Sequence, residues 1–128
     1  MKSAKLIIAA FCLGGTFAGC GGGDGVGASS GLPRSSTIAS LDQTGAGELC
    51  DWSSAKQGGY GRSATCSDGS EETTDANRAD CVAGIPLFGQ FCPSLTVGDV
   101  EDCANETGTD LCAFHTAPGC AALRACLQ

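Results

Sequence analysis

The sequence is poor in positive charge. Its 128 residues contain seven Lys and Arg side chains against fourteen Asp and Glu, which gives a formal net charge of −7 at pH 7. An acidic chain is repelled by the phosphates of nucleic acids and of anionic lipids, because binding to both depends on clustered basic side chains. Nucleic acid is therefore excluded as a partner.

The sequence also has few residues that would hold a metal ion. Its one histidine is His115, and its closest cysteines, Cys120 and Cys126, lack the C-x-x-C spacing typical of zinc sites. Four acidic residues lie in a Gly/Ser-rich loop without the alternate-residue spacing and glycine of a calcium loop. They are Asp68, Glu71, Glu72 and Asp75. We expect a solvated acidic loop there, and neither a metal ion nor another cofactor.

Long hydrophobic segments are absent, and the one short segment lies near the start. Residues 6–19 carry no charge and follow a basic start that contains Lys2 and Lys5. The segment is shorter than the roughly 20 residues that a membrane-spanning helix needs. A basic start, a short apolar run and small residues are typical of an export signal peptide, which we assign to residues 1–19.

The cysteine count depends on where this leader is cut. Cleavage after Ala18 would leave one odd thiol, which is a reactive liability in an oxidising compartment. Cleavage between Gly19 and Cys20, with lipid attached to the Cys20 sulfur, leaves eight cysteines that can pair completely. Parity favours the second cut, so we expect Cys20 to be the lipidated first residue of the mature chain.

The residues Phe17-Ala18-Gly19-Cys20 resemble the lipobox of bacterial lipoproteins, in which Ala-Gly-Cys is the commonest ending. The resemblance implies a diacylglyceryl group on the sulfur of Cys20 and a further acyl chain on its new amino group. Phe17 stands where the family usually has Leu. The residue after the cysteine is Gly21 and not Asp, which by the same resemblance implies sorting to the outer membrane. Two or three acyl chains give a stable membrane anchor.

Residues 20–36 contain the proposed lipidated cysteine and a run rich in Gly and Ser. Such a segment has too little apolar surface to offset its backbone entropy, so we predict a flexible tether. Residues 27–31 (GASSG) match the nucleophile-elbow pattern G-x-S-x-G, but the elbow needs a strand before it and a helix after it. We interpret the match as a result of composition.

Residues 37–128 are predicted to form one cysteine-rich domain. Eight cysteines in a domain of this size favour four disulfides, each stabilising by about 2–4 kcal/mol. They are Cys50, Cys66, Cys81, Cys92, Cys103, Cys112, Cys120 and Cys126. The expected fold class is mainly α, with about four short helices. Cys120 and Cys126 would lie about 9 Å apart along one helix, so they should bond to different partners.

Capping residues and hydrophobic spacing indicate where the four helices start. The predicted starts are Ser40-Leu41-Asp42-Gln43 as a capping box, Thr74-Asp75, Thr96-Val97-Gly98-Asp99, and Ala117-Pro118. The second helix is expected to end near Ala83. Residues 58–61 (GGYG) are predicted to form a turn, and residues 62–66 a short strand without an evident partner.

Two segments of the domain look alike. Thr74 and Thr96 each lie seven residues before the cysteine of an Asp-Cys pair, and each segment ends at another cysteine. Residues 74–92 and 96–112 are therefore either a degenerate helix–loop repeat or two uses of the same capping solution, which we favour.

The domain as a whole resembles a second group of proteins. The Trp-containing first helix, the GGYG turn, the helical Asp-Cys segments and the Cys-rich end of residues 40–128 are similar to small cysteine-rich lipoproteins of myxobacteria. That family has no established activity, so the resemblance implies no catalytic residue.

Few residues are candidates for chemistry or for contact. His115 lies between two cysteines without a recognisable partner, so we expect a structural role and assign no catalytic residue. Trp52, Tyr60, Phe88 and Phe91 are candidate contact residues, although most aromatics in a chain with so few should lie in the core.

These features predict a non-enzymatic, lipid-anchored protein of the cell envelope, at the outer membrane, whose stapled domain has a binding or structural role. The expected partners are the membrane, through the lipid anchor, and an envelope or extracellular protein. Two alternatives stay open. One is a secreted disulfide-rich inhibitor or effector that acts on a protein target, and the other is a small hydrolase that uses His115.

Overall fold

Residues 26–128 are described by a computed structural model, and within them the mainly α fold class with four helices and four disulfides is confirmed. The helices are α1 (Gln43–Lys56), α2 (Arg78–Phe91), α3 (Val97–Thr107) and α4 (Ala121–Leu127). The strands are β1 (Ser63–Thr65) and β2 (Glu71–Thr73), and 3₁₀ turns lie at Ile38–Ser40, Leu111–His115 and Pro118–Cys120.

The start of α3 agrees with the prediction, whereas α4 begins at Ala121, three residues after Pro118, the predicted first helical residue. Thr96 Oγ1 accepts a hydrogen bond from the Asp99 N–H, and the Asp99 carboxylate accepts one from the Thr96 N–H, which completes a capping box. Pro118 opens the 3₁₀ turn that leads into α4 at Ala121. A proline suits this first turn because its missing N–H would have no helical partner there.

The start of α1 was predicted two residues too early. Its cap is Asp42, whose Oδ1 accepts from the Gly45 N–H at 2.7 Å. Ser40 instead ends a 3₁₀ turn, and its hydroxyl donates to the carbonyl of Thr37 at 2.8 Å. The Ser40 hydroxyl is therefore already hydrogen-bonded within this turn and does not form the predicted capping box with Gln43.

The start and the end of α2 were both predicted too early, since the helix continues past Ala83 to Phe91. Asn77 is the cap, and its side chain accepts from the Asp80 N–H at 3.0 Å. Thr74 Oγ1 accepts from the Arg62 N–H at 2.9 Å and so belongs to the end of the hairpin. The similarity between residues 74–92 and 96–112 therefore does not include a shared capping threonine.

The strand predicted within residues 62–66 is present, and β2 is its partner. β1 and β2 are antiparallel, with Ala64 opposite Glu72. The GGYG turn before them is confirmed, since Gly58, Gly59 and Gly61 have φ of 89°, 118° and 69°. Side chains disfavour these left-handed conformations, which glycine adopts readily.

Four disulfides join all eight cysteines, as predicted. The pairs are Cys50–Cys81, Cys66–Cys112, Cys92–Cys126 and Cys103–Cys120. They join α1 to α2, the hairpin to the Leu111–His115 turn, the end of α2 to α4, and α3 to the turn before α4. Cys120 and Cys126 bond to different partners, so two cross-links hold the last helix.

The buried core between the helices is small. Its larger members are Ile38, Leu49, Trp52, Leu95 and Val97. A smaller second cluster surrounds the Cys103–Cys120 disulfide and includes Ala117. Because a core of this size supplies limited hydrophobic stabilisation, the cross-links carry a large share of the stability.

The domain begins before residue 37, which corrects the predicted boundary. Residues 26–36, which we call the N-terminal strap, pack along α3 instead of forming part of a free tether. The carbonyl oxygens of Arg34 and Ser36 accept from the N–H groups of Gly98 and Val97, both at 2.9 Å. The N–H groups in the first turn of a helix have no acceptor within the helix, and carbonyl groups of the strap accept from them in α3. The leader and residues 20–25 lie outside the described residues.

Alanine substitutions at two glycines inside α2 are expected to change the stability in opposite directions. A Cβ atom at Gly89 would lie 2.7 Å from the Cα of Ala39, whereas one at Gly84 would meet nothing within 4 Å. We expect Gly89→Ala to lower the free energy of unfolding by about 1–2 kcal/mol through overpacking. Gly84→Ala should raise it by about 0.5–1 kcal/mol, because alanine favours the helix. Denaturant unfolding of the two variants measures both, and equal effects would contradict the close packing of α2 on the Ile38–Ser40 turn.

Candidate functional site

Three large hydrophobic side chains are exposed at one end of the described domain. Phe91 is 78% exposed, Leu87 58% and Leu127 57%. We call these three residues the apolar end. Phe91 was a predicted contact residue and Leu87 begins the same candidate segment of the sequence, whereas Leu127 was not singled out. Exposed apolar groups that lie together often mark a contact site.

A helix face and a disulfide bring the apolar end together. Leu87 and Phe91 are four residues apart on α2 and therefore share one face. Cys92 and Cys126, whose Cα atoms are 5.6 Å apart, directly follow Phe91 and precede Leu127. The sequence could have indicated the Leu87–Phe91 pair by its spacing, but the position of Leu127 depends on a disulfide pairing that spacing does not reveal.

The run of sequence that contains Leu87 and Phe91 carries no charged side chain, although the chain as a whole is acidic. No Asp, Glu, Lys or Arg occurs from residue 81 to residue 98. The single charge on α4 is Arg124, whose Nη1 donates to the carbonyls of Phe114 and Ala117, both at 2.7 Å. This guanidinium is thereby turned toward the protein backbone. The apolar end thus differs in chemistry from the rest of the surface.

The grooves beside the apolar end are small. One of about 330 Å³ borders the Cys92–Cys126 disulfide, and its other lining residues are Ser94, Leu95, Asp99, Ala122 and Ala125. Another of about 300 Å³ lies between the start of α1 and the middle of α2. Sites for drug-sized ligands typically begin at about 300 Å³ and bring several polar groups together. Both grooves lie at this lower limit of size, and each is lined by a single carboxylate, Asp99 in the first and Asp42 in the second.

Trp52 is a core residue, which corrects its place among the contact candidates. It is 8% exposed, and its indole Nε1 donates to the carbonyl of Gly27 in the strap at 3.0 Å. The Nζ of Lys56 lies 6.0 Å from the centre of the indole ring and donates to the carbonyl of Val26 at 3.2 Å. Both side chains therefore attach the strap to the end of α1.

Tyr60 and Phe88 are half-buried and also act within the fold. The Tyr60 hydroxyl donates to Asp51 Oδ1 at 3.0 Å, and Asp51 Oδ2 accepts from Arg78 Nε at 2.9 Å. Burial, followed by the hydrogen bond to Asp51, raises the pKa of Tyr60 to about 12. Phe88 packs against the main core. Of the four aromatic contact candidates, Phe91 is thus the one with a largely exposed side chain.

His115 has a partner that the sequence did not reveal. Its Nε2 lies 2.6 Å from Glu72 Oε1, so an ion pair joins the Leu111–His115 turn to β2 when the imidazole is protonated. The Cys66–Cys112 disulfide joins the same turn to the hairpin. The histidine is 45% exposed and lines none of the grooves described above. The His115–Glu72 pair is therefore a second, polar contact that holds the hairpin to this turn, beside the disulfide.

The acidic loop residues do not converge on one point. Asp68 accepts from the N–H and hydroxyl of Ser70, which holds the pKa of the Asp68 carboxyl below its ordinary value. Glu72 pairs with His115 instead. Within residues 26–128 no group of three or more His, Cys, Asp or Glu side chains is arranged to hold a metal ion.

A buried carboxylate holds the strap to α3. Glu101 is fully buried, and its Oε1 accepts from the N–H and hydroxyl of Ser30 at 2.6 and 2.8 Å and from the Ser29 hydroxyl at 3.3 Å. Its Oε2 accepts from Arg34 Nη1 at 2.8 Å, and Arg34 Nη2 donates to Asp102 at 2.7 Å. The GASSG pattern is therefore a docking segment, because Ser29 and Ser30 are hydrogen-bonded to Glu101.

The hydrogen bonds to Glu101 favour its charged form. Burial on its own raises the pKa of this carboxyl, but the bonds from Ser30 and Arg34 outweigh it and leave the pKa below its ordinary value of 4.5. Ionised carboxylates form stronger hydrogen bonds than neutral acids do. The strap is thus held most firmly when Glu101 is ionised.

The predicted processing site lies outside the described residues. Gly19 and Cys20, the residues of the cut and of the lipid, precede Val26. From Val26 onward, no helix is long and apolar enough to cross a membrane.

Known proteins add no assignment to this geometry. Comparison with protein-family models, with curated proteins and with solved structures finds no match for the chain.

The network around Glu101 predicts a dependence of stability on pH. Because the folded-state pKa lies below the unfolded value, the stabilisation is complete above pH about 4.5 and is lost as the pH falls through the folded-state pKa. Glu101→Gln should lower the free energy of unfolding at pH 7 by about 1–3 kcal/mol and flatten this acid dependence. Unfolding curves between pH 3 and pH 7 measure both effects.

Asp102→Asn is the matched control for this prediction. It removes a carboxylate that also bonds to Arg34, but its side chain is 57% exposed, so we expect a loss of less than about 1 kcal/mol. Equal losses in the two variants would contradict the role of Glu101 as the buried attachment point of the strap.

Proposed function

We propose that this chain is a lipid-anchored protein of the cell envelope, whose disulfide-stapled domain has a binding or structural role. One observation carries the proposal. All eight cysteines from Cys50 to Cys126 are paired with each other, so the domain offers Cys20 no disulfide partner. A thiol left over in this way at the end of a lipobox-like leader is suited to acylation.

The same disulfides support an oxidising compartment. Disulfides form and persist in oxidising compartments such as a bacterial periplasm or the cell exterior. The small core and the four cross-links give the domain stability outside the cytosol. Gly21 after the proposed lipidated Cys20 favours the outer membrane in the lipoprotein family that the leader resembles.

The proposed role is non-enzymatic. The grooves beside the apolar end are small, and the single histidine lies against Glu72 on the hairpin. The secreted inhibitor or effector is the second candidate, and the exposed Phe91 favours it because such a side chain suits contact with a protein target. The two candidates differ in whether lipid is attached to Cys20.

Fatty-acid labelling in bacterial cells tests the anchor. We expect the full chain to incorporate the label, and Cys20→Ala to abolish incorporation and leave the leader uncut. Cys12→Ala is the matched control, since it removes a cysteine within the leader and should leave labelling unchanged. An unlabelled chain that is secreted into the medium would refute the lipid anchor and favour the secreted inhibitor.

Counting thiols tests the oxidising compartment. In the exported chain, mass spectrometry without reduction should find no free thiol between Cys50 and Cys126, and the four linked peptide pairs should be those of the structure. The same chain without residues 1–19, kept in the cytosol, should retain free thiols. Two or more free thiols in the exported chain would contradict full pairing.

A further inference from the structure

We propose that the apolar end is a bilayer-contacting surface, which lays the domain against the membrane that holds its anchor. The occupant we assign is the interface of a zwitterionic phospholipid bilayer, where Phe91, Leu87 and Leu127 meet the upper part of the acyl chains. The inference rests on the proposed lipid anchor at Cys20, and it goes further by assigning a second membrane contact to the folded domain itself.

The short distance between the anchor and the domain is the first argument. The strap is fixed to the domain from Val26 onward by hydrogen bonds to Lys56, Trp52 and Glu101. Only residues 21–25 separate Val26 from Cys20, so even fully extended they reach about 20 Å. Without the strap contacts, a tether ending at residue 36 would reach more than twice as far. The strap therefore keeps the domain beside the bilayer.

The course of the strap is the second argument, because it keeps the anchored end of the strap close enough to the apolar end for both to reach the same bilayer surface. The strap runs antiparallel to α3: the carbonyl of Ala28 accepts from Asn105, and the carbonyl of Ser36 accepts from Val97. These positions on α3 are about 12 Å apart along its axis. Cys92, next to Phe91, packs in the same buried cluster as Val97. A domain with α3 roughly parallel to the bilayer can thus touch the membrane at the apolar end while the anchor is inserted.

Charge is the third argument. The chain is acidic and is repelled by anionic headgroups, but the run from residue 81 to residue 98 is free of charged side chains. Arg124 on α4 is turned to backbone carbonyls. The carboxylate of Asp99 lines the groove beside the Cys92–Cys126 disulfide and already accepts hydrogen bonds from Thr96. Leu87 and Phe91 themselves lie in the charge-free run and can approach a lipid surface directly. Because the anchor makes the contact intramolecular, three side chains are enough to orient the domain, although they would not bind vesicles strongly on their own.

Tryptophan fluorescence with brominated lipids tests this contact. Phe91→Trp places a reporter in the apolar end, and Ala79→Trp is its matched control, since Ala79 is an exposed residue of the same helix about 18 Å away. Both variants retain the buried Trp52, so its signal is common to both. The acylated full chain is placed in phosphatidylcholine vesicles with bromine on the upper acyl chain, and intact mass verifies the acyl groups.

We expect bromine to quench the added fluorescence of Phe91→Trp at least about threefold more than that of Ala79→Trp. Equal quenching, or none, in chains whose mass shows acylation would overturn the bilayer contact and leave the anchor intact. Chains that lack the acyl mass would overturn the anchor and this inference together. A blue shift of the Phe91→Trp signal that appears without lipid and grows with protein concentration would assign the surface to a second copy of the chain, and would also overturn the inference.

Discussion

Covalent cross-links, more than helix packing, decide where the last helix of this domain lies. α4 has seven residues, none of them fully buried, and an isolated helix of this length is unstable in water. Cys120 joins its start to α3, and Cys126 joins its end to α2. The second bond links the residue before Leu127 to the residue after Phe91, and Arg124 adds hydrogen bonds to the carbonyls of Phe114 and Ala117. The apolar end is thus a product of disulfide pairing, and a small domain gains from it a surface that its limited core could not position.

Polar contacts attach the strap where apolar residues are scarce. A Gly- and Ser-rich segment buries too little apolar surface to order itself, which is why the composition of residues 20–36 predicts a tether. Glu101 reverses the outcome, because an ionised carboxylate out of contact with water requires several donors and the strap supplies them from Ser29, Ser30 and Arg34. The strap has no apolar core of its own and is therefore held by hydrogen bonds to the buried carboxylate of Glu101 on α3.

Local features of this fold could be predicted from the sequence, and features that depend on distant partners could not. The capping box at Thr96, the GGYG turn and the number of disulfides follow from nearby residues or from counting. The cap of α1 was misplaced because the Ile38–Ser40 turn, stabilised through Thr37 and Leu95, takes up the Ser40 hydroxyl. The pairing of Glu72 with His115 and the burial of Glu101 join residues more than 40 positions apart. No short-range pattern records such contacts.

On the proposed arrangement, Glu101 also controls the orientation of the domain on the membrane. The strap sets the reach of the anchor. If the strap detached, which requires loss of the bonds from Lys56, Trp52 and Asn105 as well as those to Glu101, the first fixed residue would move from Val26 toward residue 36. A reach of about 20 Å would become one of more than 50 Å, and the apolar end would spend less time at the lipid, because the effective concentration of a tethered contact falls as its linker lengthens. Three features would then act on the contact between the apolar end and the bilayer. They are the ionised carboxylate of Glu101, the disulfide that positions α4, and the acylated Cys20. The first two lie within the folded domain, so the anchored protein would derive its orientation from its own fold.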